Sequence, residues 1–260
     1  ISACLVGSEM CIRDRPQPRF FMEKISRLNS LMEAMKSSPG RVNKIFIQEG
    51  KWQKKISEII QLARANHIPF LFVPKPKLDS LDRSHQGAVA LLSPKEFSSL
   101  EAILSSTRTP FLVLLDGVED PQNLGAIIRT AEGAGADGII LSERRSVGLS
   151  ETVFRVSAGA LEYVRVARVK NLARTMDELK ERGVWLIGAE GGGREYWYEF
   201  DYKLPVGLIL GSEGKGLRPL IRKKCDKILS IPLLGRITSL NVGAAAAIFL
   251  YEVARQRSLA

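Results

Sequence analysis

In the second half of the chain, apolar residues gather into short, near-continuous runs separated by amphipathic stretches. Residues 111–115, 138–141, 164–169, 184–188, 206–210 and 228–231 are such runs, each of strand length and each bounded by polar or glycine-containing turns. Between them, residues 124–134, 151–158, 172–181 and 217–225 carry apolar positions at helical spacing, and 240–257 predicts a long closing helix. Strands apolar on both faces, alternating with helices, predict a mostly parallel sheet covered on both sides. Ligands of such sheets bind beyond the carboxyl ends of the strands. Polar clusters at those ends are therefore the candidate site.

The first half predicts a smaller α/β unit over residues 19–93: a helix over 20–35, a strand at 44–47, a helix over 54–66, and strands at 70–73 and 86–91. Pro74 and Pro76 stop the second strand. Residues 94–110, with Pro94, Ser98-Ser99 and Ser105-Ser106-Thr107, read as a linker holding a weak helical stretch. The alternation of strands and helices then fills residues 111–260. Residues 1–15 show neither caps nor periodicity. Residues 5–15 look like the in-frame translation of a transposase sequencing adapter and stand outside the fold reasoning, a genuine leader being the alternative. On the adapter reading the native start is missing and Cys225 is the one cysteine of the protein. A single cysteine forms no internal disulfide, which fits a reducing, cytoplasmic setting.

Charge changes the picture. The 260 residues carry a formal net charge of +10, which favours polyanionic partners, nucleic acid first. The excess is uneven: residues 16–108 hold 15 Lys and Arg against 8 Asp and Glu, and residues 109–260 hold 21 against 18. The small unit is thus the expected RNA-docking module, because neutralising phosphates releases counterions; a solvated, solubilising surface is the plainer alternative. No apolar run approaches the roughly 20 residues of a membrane span.

Three polar clusters fall at predicted strand ends. The first runs from Asp116 to Arg129. Asn123 is placed to cap the following helix, with Leu124, Ile127, Ile128 and Ala131 as its buried stripe. Gly125 and Arg129, four apart, share another face, which sets a guanidinium over a glycine gap suited to a phosphate or carboxylate. An ordinary cap and a surface arginine is the plainer reading. The second cluster, residues 211–217, spaces Gly211, Gly214 and Gly216 around Glu213 and Lys215, so backbone can approach a ligand. It lacks the phosphate-loop Gly-x-x-x-x-Gly-Lys-Ser/Thr pattern. The third is 231–257, where Ser239 and Asn241 precede the small-residue run Gly243 to Ala247, thin enough for another backbone to lie close. A glycine-rich turn, 189–193, follows a further strand, and Tyr196-Trp197-Tyr198 lies beyond it, set to pack on a neighbouring loop or subunit rather than to stack bases. His67 and His85 are the only histidines, so no Cys/His zinc set is available. No Gly-x-Ser-x-Gly elbow occurs, and the turn after the first strand lacks the Gly-x-Gly-x-x-Gly dinucleotide pattern.

Together these clusters resemble the three motifs of the SpoU/TrmH-type (SPOUT superfamily) RNA ribose 2′-O-methyltransferases. The Asp-x-x-Asn-x-Gly-x-x-x-Arg element matches Asp120, Asn123, Gly125 and Arg129. The Gly-x-Glu-Gly element matches Gly211, Glu213 and Gly214. The Ile-Pro-Leu…Ser-Leu-Asn-Val element matches Ile231, Pro232, Leu233, Ser239, Leu240, Asn241 and Val242. More softly, Asn43 to Ile47 and His85-Gln86-Gly87 make the front unit similar to the ribosomal-protein-like RNA-binding domain of ribosomal RNA members. The resemblance implies a C-terminal SPOUT domain with a trefoil knot. It also implies S-adenosylmethionine, without a metal, held by Ala189, Gly211, Ile231 and Leu240 largely through main chain. Arg129 is implied as the catalytic arginine, with Asn123, Glu213, Ser239 and Asn241 orienting it and the ribose. A homodimer that shares its active site across the interface is implied as well. The substrate expectation is 23S ribosomal RNA at a guanosine, with transfer RNA next and a non-catalytic RNA-binding assembly factor behind both.

Overall fold

A computed structural model describes residues 22–50, 53–193 and 195–258. The adapter-like stretch and the first two residues of the helix expected over 20–35 lie outside the described residues. The small unit runs β1 (Glu23–Ile25), α1 (Leu28–Ser37), β2 (Val42–Gln48), α2 (Lys54–Ala65), β3 (Phe70–Val73), α3 (Lys75–Leu81) and β4 (Ala88–Leu92), with sheet order β1-β4-β2-β3. The pair β2 and β3 is parallel, with α2 as its crossover, and the other pairs are antiparallel.

Two elements differ from the sequence expectation. The helix expected over 20–35 starts only at Leu28, because residues 23–25 pair with β4 and place Ile25, 4% exposed, in the core. Local helical spacing there yields to the sheet edge it can cover. The second difference is α3, which starts directly after Pro74. Pro76 sits in its first turn, where a missing N–H removes no helical hydrogen bond.

The larger unit continues with α4 (Leu100–Leu104), β5 (Phe111–Asp116), α5 (Pro121–Gly133), β6 (Gly138–Ser142), α6 (Glu151–Ser157), β7 (Val166–Val169), α7 (Leu172–Glu181), β8 (Trp185–Ala189), β9 (Glu195–Tyr196), β10 (Val206–Gly211), α8 (Pro219–Lys224), β11 (Lys227–Ser230) and α9 (Val242–Ser258). Its sheet has the order β7-β6-β5-β10-β8-β11-β9, and every neighbouring pair is parallel. The central strands β5 and β10 are buried along their whole length. One face is covered by α5, α6 and α9, whose core runs on into the small unit; α4, α7 and α8 cover the other. Among the described residues no helix is long and apolar enough to cross a membrane.

The two units meet at a polar seam set on that shared core. Arg41 of the small unit donates to both carboxylate oxygens of Glu162 (2.8 and 2.9 Å), to Glu23 (3.0 Å) and to the Ser93 carbonyl. Its guanidinium also lies 5.3 Å from the ring centre of Phe154. Lys95 donates to the carbonyls of Leu161 and Val164, and Tyr163 donates to Glu33. At Gly159, with φ +97°, an added Cβ would lie 3.0 Å from Glu33, so α1 rests directly on the larger unit's backbone.

The Glu162 side chain is 1% exposed, so Arg41→Ala leaves a buried carboxylate unpaired and should lower stability by about 3–5 kcal/mol. Burial, partly offset by Arg41, pushes the Glu23 carboxyl up to about 7. Between the ordinary carboxylate range and pH 7 the folded state therefore holds the extra proton, and stability falls as pH rises. Urea titrations at pH 5 and pH 7.5 should show this fall flattened in Glu23→Gln; an equal fall in that variant would contradict the assignment.

Candidate active site

The site begins where β5 ends. The Asp116 side chain is fully buried and accepts from Arg218 twice, from Nε at 2.6 Å and from the backbone N–H at 3.0 Å. This bond ties the end of β5 to the chain leaving the loop after β10. Asp116 opens the first polar cluster of the sequence, as the first polar residue after an unbroken apolar strand, whereas Arg218 falls just outside the second. Helix α5 is then capped by Asp120, whose carboxylate accepts from the N–H groups of Gln122 (3.1 Å) and Asn123 (3.2 Å). The cap is therefore not Asn123. Pro121 fits the first helical position and moves the start of the helix three residues earlier.

Asn123, freed from capping, joins a triangle. Its Nδ2 donates to Glu213 Oε2 at 3.0 Å. Asn241 Nδ2 donates to Asn123 Oδ1 at 2.9 Å and to Glu213 Oε1 at 3.3 Å. Asn241 Oδ1 accepts from the Gly243 N–H at 2.9 Å and so caps α9. The amide orientations follow from chemistry: turning either amide round would set an oxygen against the Glu213 carboxylate. Three distant segments thus close on one another: the first turn of α5, the 211–217 loop and the start of α9.

Arg129 and Ser239 are not part of that triangle. Among the described residues Arg129 has no hydrogen-bond or ion-pair partner, and it is exposed on α5. The glycine gap expected beneath it is closed, because a Cβ at Gly125 would lie 2.6 Å from Val156 of α6. Gly125 serves helix packing rather than anion access. Ser239 is exposed on the loop before α9 and faces a cavity. Within this chain neither residue is positioned by Asn123, Glu213 or Asn241.

That cavity, about 490 Å³, lies beyond the ends of β8, β10 and β11. Ala189, Gly211, Ile231 and Leu240 all line it, together with Glu213 and Phe249. Its loop turns back tightly, with Ser212 and Gly216 exchanging backbone hydrogen bonds of 3.1 and 3.0 Å. A Cβ on Gly211 would sit 2.3 Å from the Gly216 backbone, so no side chain fits there. A second hollow of about 580 Å³ shares Ser212, Glu213, Lys215 and Gly216 with the first. Asn123, Arg145 and Arg218 line it as well, beside the carboxylates of Asp116, Glu119 and Asp120. Glu213 thus lines both hollows. Among the described residues no cluster of His, Cys, Asp and Glu could hold a metal ion. Of the three aromatics, Tyr196 and Tyr198 stack on each other at 5.7 Å, and Trp197 packs against the core.

A parallel sheet whose three polar loops close around one carboxylate beside such a cavity defines the class. Residues 110–251 match the SpoU rRNA methylase family model, and residues 28–98 match that for RNA 2′-O ribose methyltransferase substrate binding. The chain belongs to the SpoU rRNA methylase family. A Bacillus subtilis relative, named for the TrmH family of tRNA/rRNA methyltransferases, is 40% identical over 88% of this chain and 94% of its own length. The structure of an AdoMet-bound rRNA methyltransferase from Sinorhizobium meliloti superposes with a TM-score of 0.76 at 26% identity, covering 90% of this chain and 87% of its own. A TrmH/SpoU tRNA modifying enzyme from A. aeolicus matches with a TM-score of 0.52 at 27% identity, over 59% of this chain and 77% of its own.

Asn241 caps α9 and donates two of the triangle's hydrogen bonds, so Asn241→Ala should cost about 2–4 kcal/mol of stability. Denaturant unfolding measures this, and an unchanged midpoint would remove the capping role.

Proposed function

We propose that this protein transfers a methyl group from S-adenosylmethionine to a ribose 2′-hydroxyl of 23S ribosomal RNA, at a guanosine, in the cytoplasm. The observation that carries the reading is the meeting of the two hollows at Glu213. One is lined by Ala189, Gly211, Ile231 and Leu240; the other carries Asn123, Arg145 and Arg218 beside Asp116, Glu119 and Asp120. The first suits a nucleoside-type cofactor gripped by main chain, and the cavity leaves room for it. We extend to it the trefoil knot of the family resemblance, in which residues 231–241 thread past the 189–193 and 211–217 loops.

When bound, the cofactor supplies a methyl sulfonium, an electrophile that needs an aligned acceptor oxygen. This chain's contribution is alignment, which can lower a barrier by several kcal/mol when reactants are held at near-attack distance. Glu213, held by two amide donors, presents a fixed carboxylate edge toward the acceptor. Arg129, whose guanidinium is a poor base, clamps a phosphate and polarises the hydroxyl. Since Arg129 lines neither hollow of its own chain, the proposal takes it from a second copy across a homodimer interface. The exposed face of α9, with Ala244 and Tyr251, supports that contact.

Ribosomal RNA is favoured over transfer RNA by extent. The matched rRNA enzyme covers the small unit as well as the large one, whereas the matched tRNA enzyme covers 59% of this chain. A non-catalytic assembly factor would not need a cofactor space beside Glu213. Arg129→Ala should bring methyl transfer to background while calorimetry shows S-adenosylmethionine, but not NAD, binding as to the wild type. Near-normal turnover in that variant would sink the assignment.

A further inference from the structure

Between α2, α3 and the 82–87 turn of the small unit lies a groove of about 700 Å³. Lys55, Lys75 and Arg83 line it. At Gln86 it meets a second hollow of about 350 Å³ that carries Arg27 from the start of α1 and Arg155 from α6 of the larger unit. All five cations are exposed. Lys55 donates to Asn29 at 2.8 Å, and among the described residues the other four have no carboxylate partner. Exposed cations elsewhere include paired residues, as Arg222 is with Glu190, and unpaired ones such as Arg129.

One carboxylate, Asp79, faces the groove, and it is already engaged. His85 Nδ1 accepts from the Gly87 N–H at 3.1 Å, so its proton sits on Nε2 and is donated to Asp79 at 3.0 Å. The groove therefore presents positive charge along its length and across the seam between units. Unpaired like charges in one channel repel one another, and a bound polyanion relieves that.

Resting on the RNA methyltransferase reading above, we infer that the phosphodiester backbone of the substrate RNA runs along this groove, crosses the seam between Arg27 and Arg155, and reaches the Arg129 face of α5. Two hollows joined across a seam suit a chain of regularly spaced charges better than one free nucleotide. The direction follows from packing. Val156, next to Arg155, sits over Gly125, and Arg129 lies one helical turn further along the same face of α5. Arg41 and Glu162 hold the seam closed, so the span from groove to Arg129 is fixed, and the path measures where along the RNA the target nucleotide falls.

The test uses the full chain and unmodified ribosomal RNA made by transcription, with binding followed from 50 to 200 mM KCl. Arg27→Ala/Arg155→Ala and Lys75→Ala/Arg83→Ala should each weaken binding about tenfold. Each should also reduce the slope of log affinity against log salt by ~1.5, since every phosphate contact contributes ~0.7–0.9. Arg174→Ala/Lys223→Ala, on the opposite face of the large sheet, should leave both unchanged, and all three variants should bind S-adenosylmethionine as the wild type does. Wild-type affinity and slope in both groove variants, or an equal loss in the opposite-face control, would overturn the path. A wild-type protein that binds neither the RNA nor S-adenosylmethionine would instead overturn the functional reading on which it rests.

Discussion

The triangle of Asn123, Glu213 and Asn241 is the interaction on which the active end of the molecule depends. It joins segments 90 and 118 residues apart in the chain through one carboxylate and two amides. A hydrogen bond to a charged group contributes roughly 1.5–3 kcal/mol net, so the triangle can hold its loops against their own entropy. Its closure requires small residues nearby. Gly211 lets the 211–217 loop fold onto itself, and at Gly243 a Cβ would crowd the capping Asn241 Oδ1 at 3.1 Å. The same contacts shape the wall between the two hollows.

A second constraint acts at the seam. A flexible tether between units would let a bound RNA move relative to the catalytic end. Here Arg41, Glu23, Glu162 and Lys95 are fixed together on a continuous apolar core. Burying this many charges costs solvation, and their mutual pairing offsets it only while the geometry holds. The pairing therefore gives a defined arrangement of the units more than it gives stability.

Much of this was legible in the sequence because parallel strands buried on both faces leave unbroken apolar runs. The strands at 111–115 and 206–210 and the helix at 172–181 fall where the periodicity places them. Ala189, Gly211, Ile231 and Leu240, implied by the family resemblance rather than by periodicity, line one cavity. What local pattern could not show was tertiary in origin. Three residues read as helix became β1 because β4 had a free edge. Asp120 displaced Asn123 as the cap because Pro121 could start the helix earlier. Gly125 looked like an opening and is a packing contact, a distinction that depends on Val156, 31 positions away. The partnering of Asp116 with Arg218 spans 102 residues and leaves no trace in spacing.

On the proposed reading the chemistry is one of placement: a fixed carboxylate where the two hollows meet, and an arginine brought to it. Its product has a property that can be read directly, because a methyl on the 2′-oxygen removes the nucleophile that alkali uses to cleave RNA. The most direct measurement is transfer of a radiolabelled methyl group from S-adenosylmethionine to unmodified ribosomal RNA, followed by alkaline hydrolysis and separation of the products. The account predicts label in alkali-resistant dinucleotides with guanosine on the 5′ side. Label in mononucleotides, which would place the methyl on a base, or no transfer to ribosomal RNA at all, would contradict it.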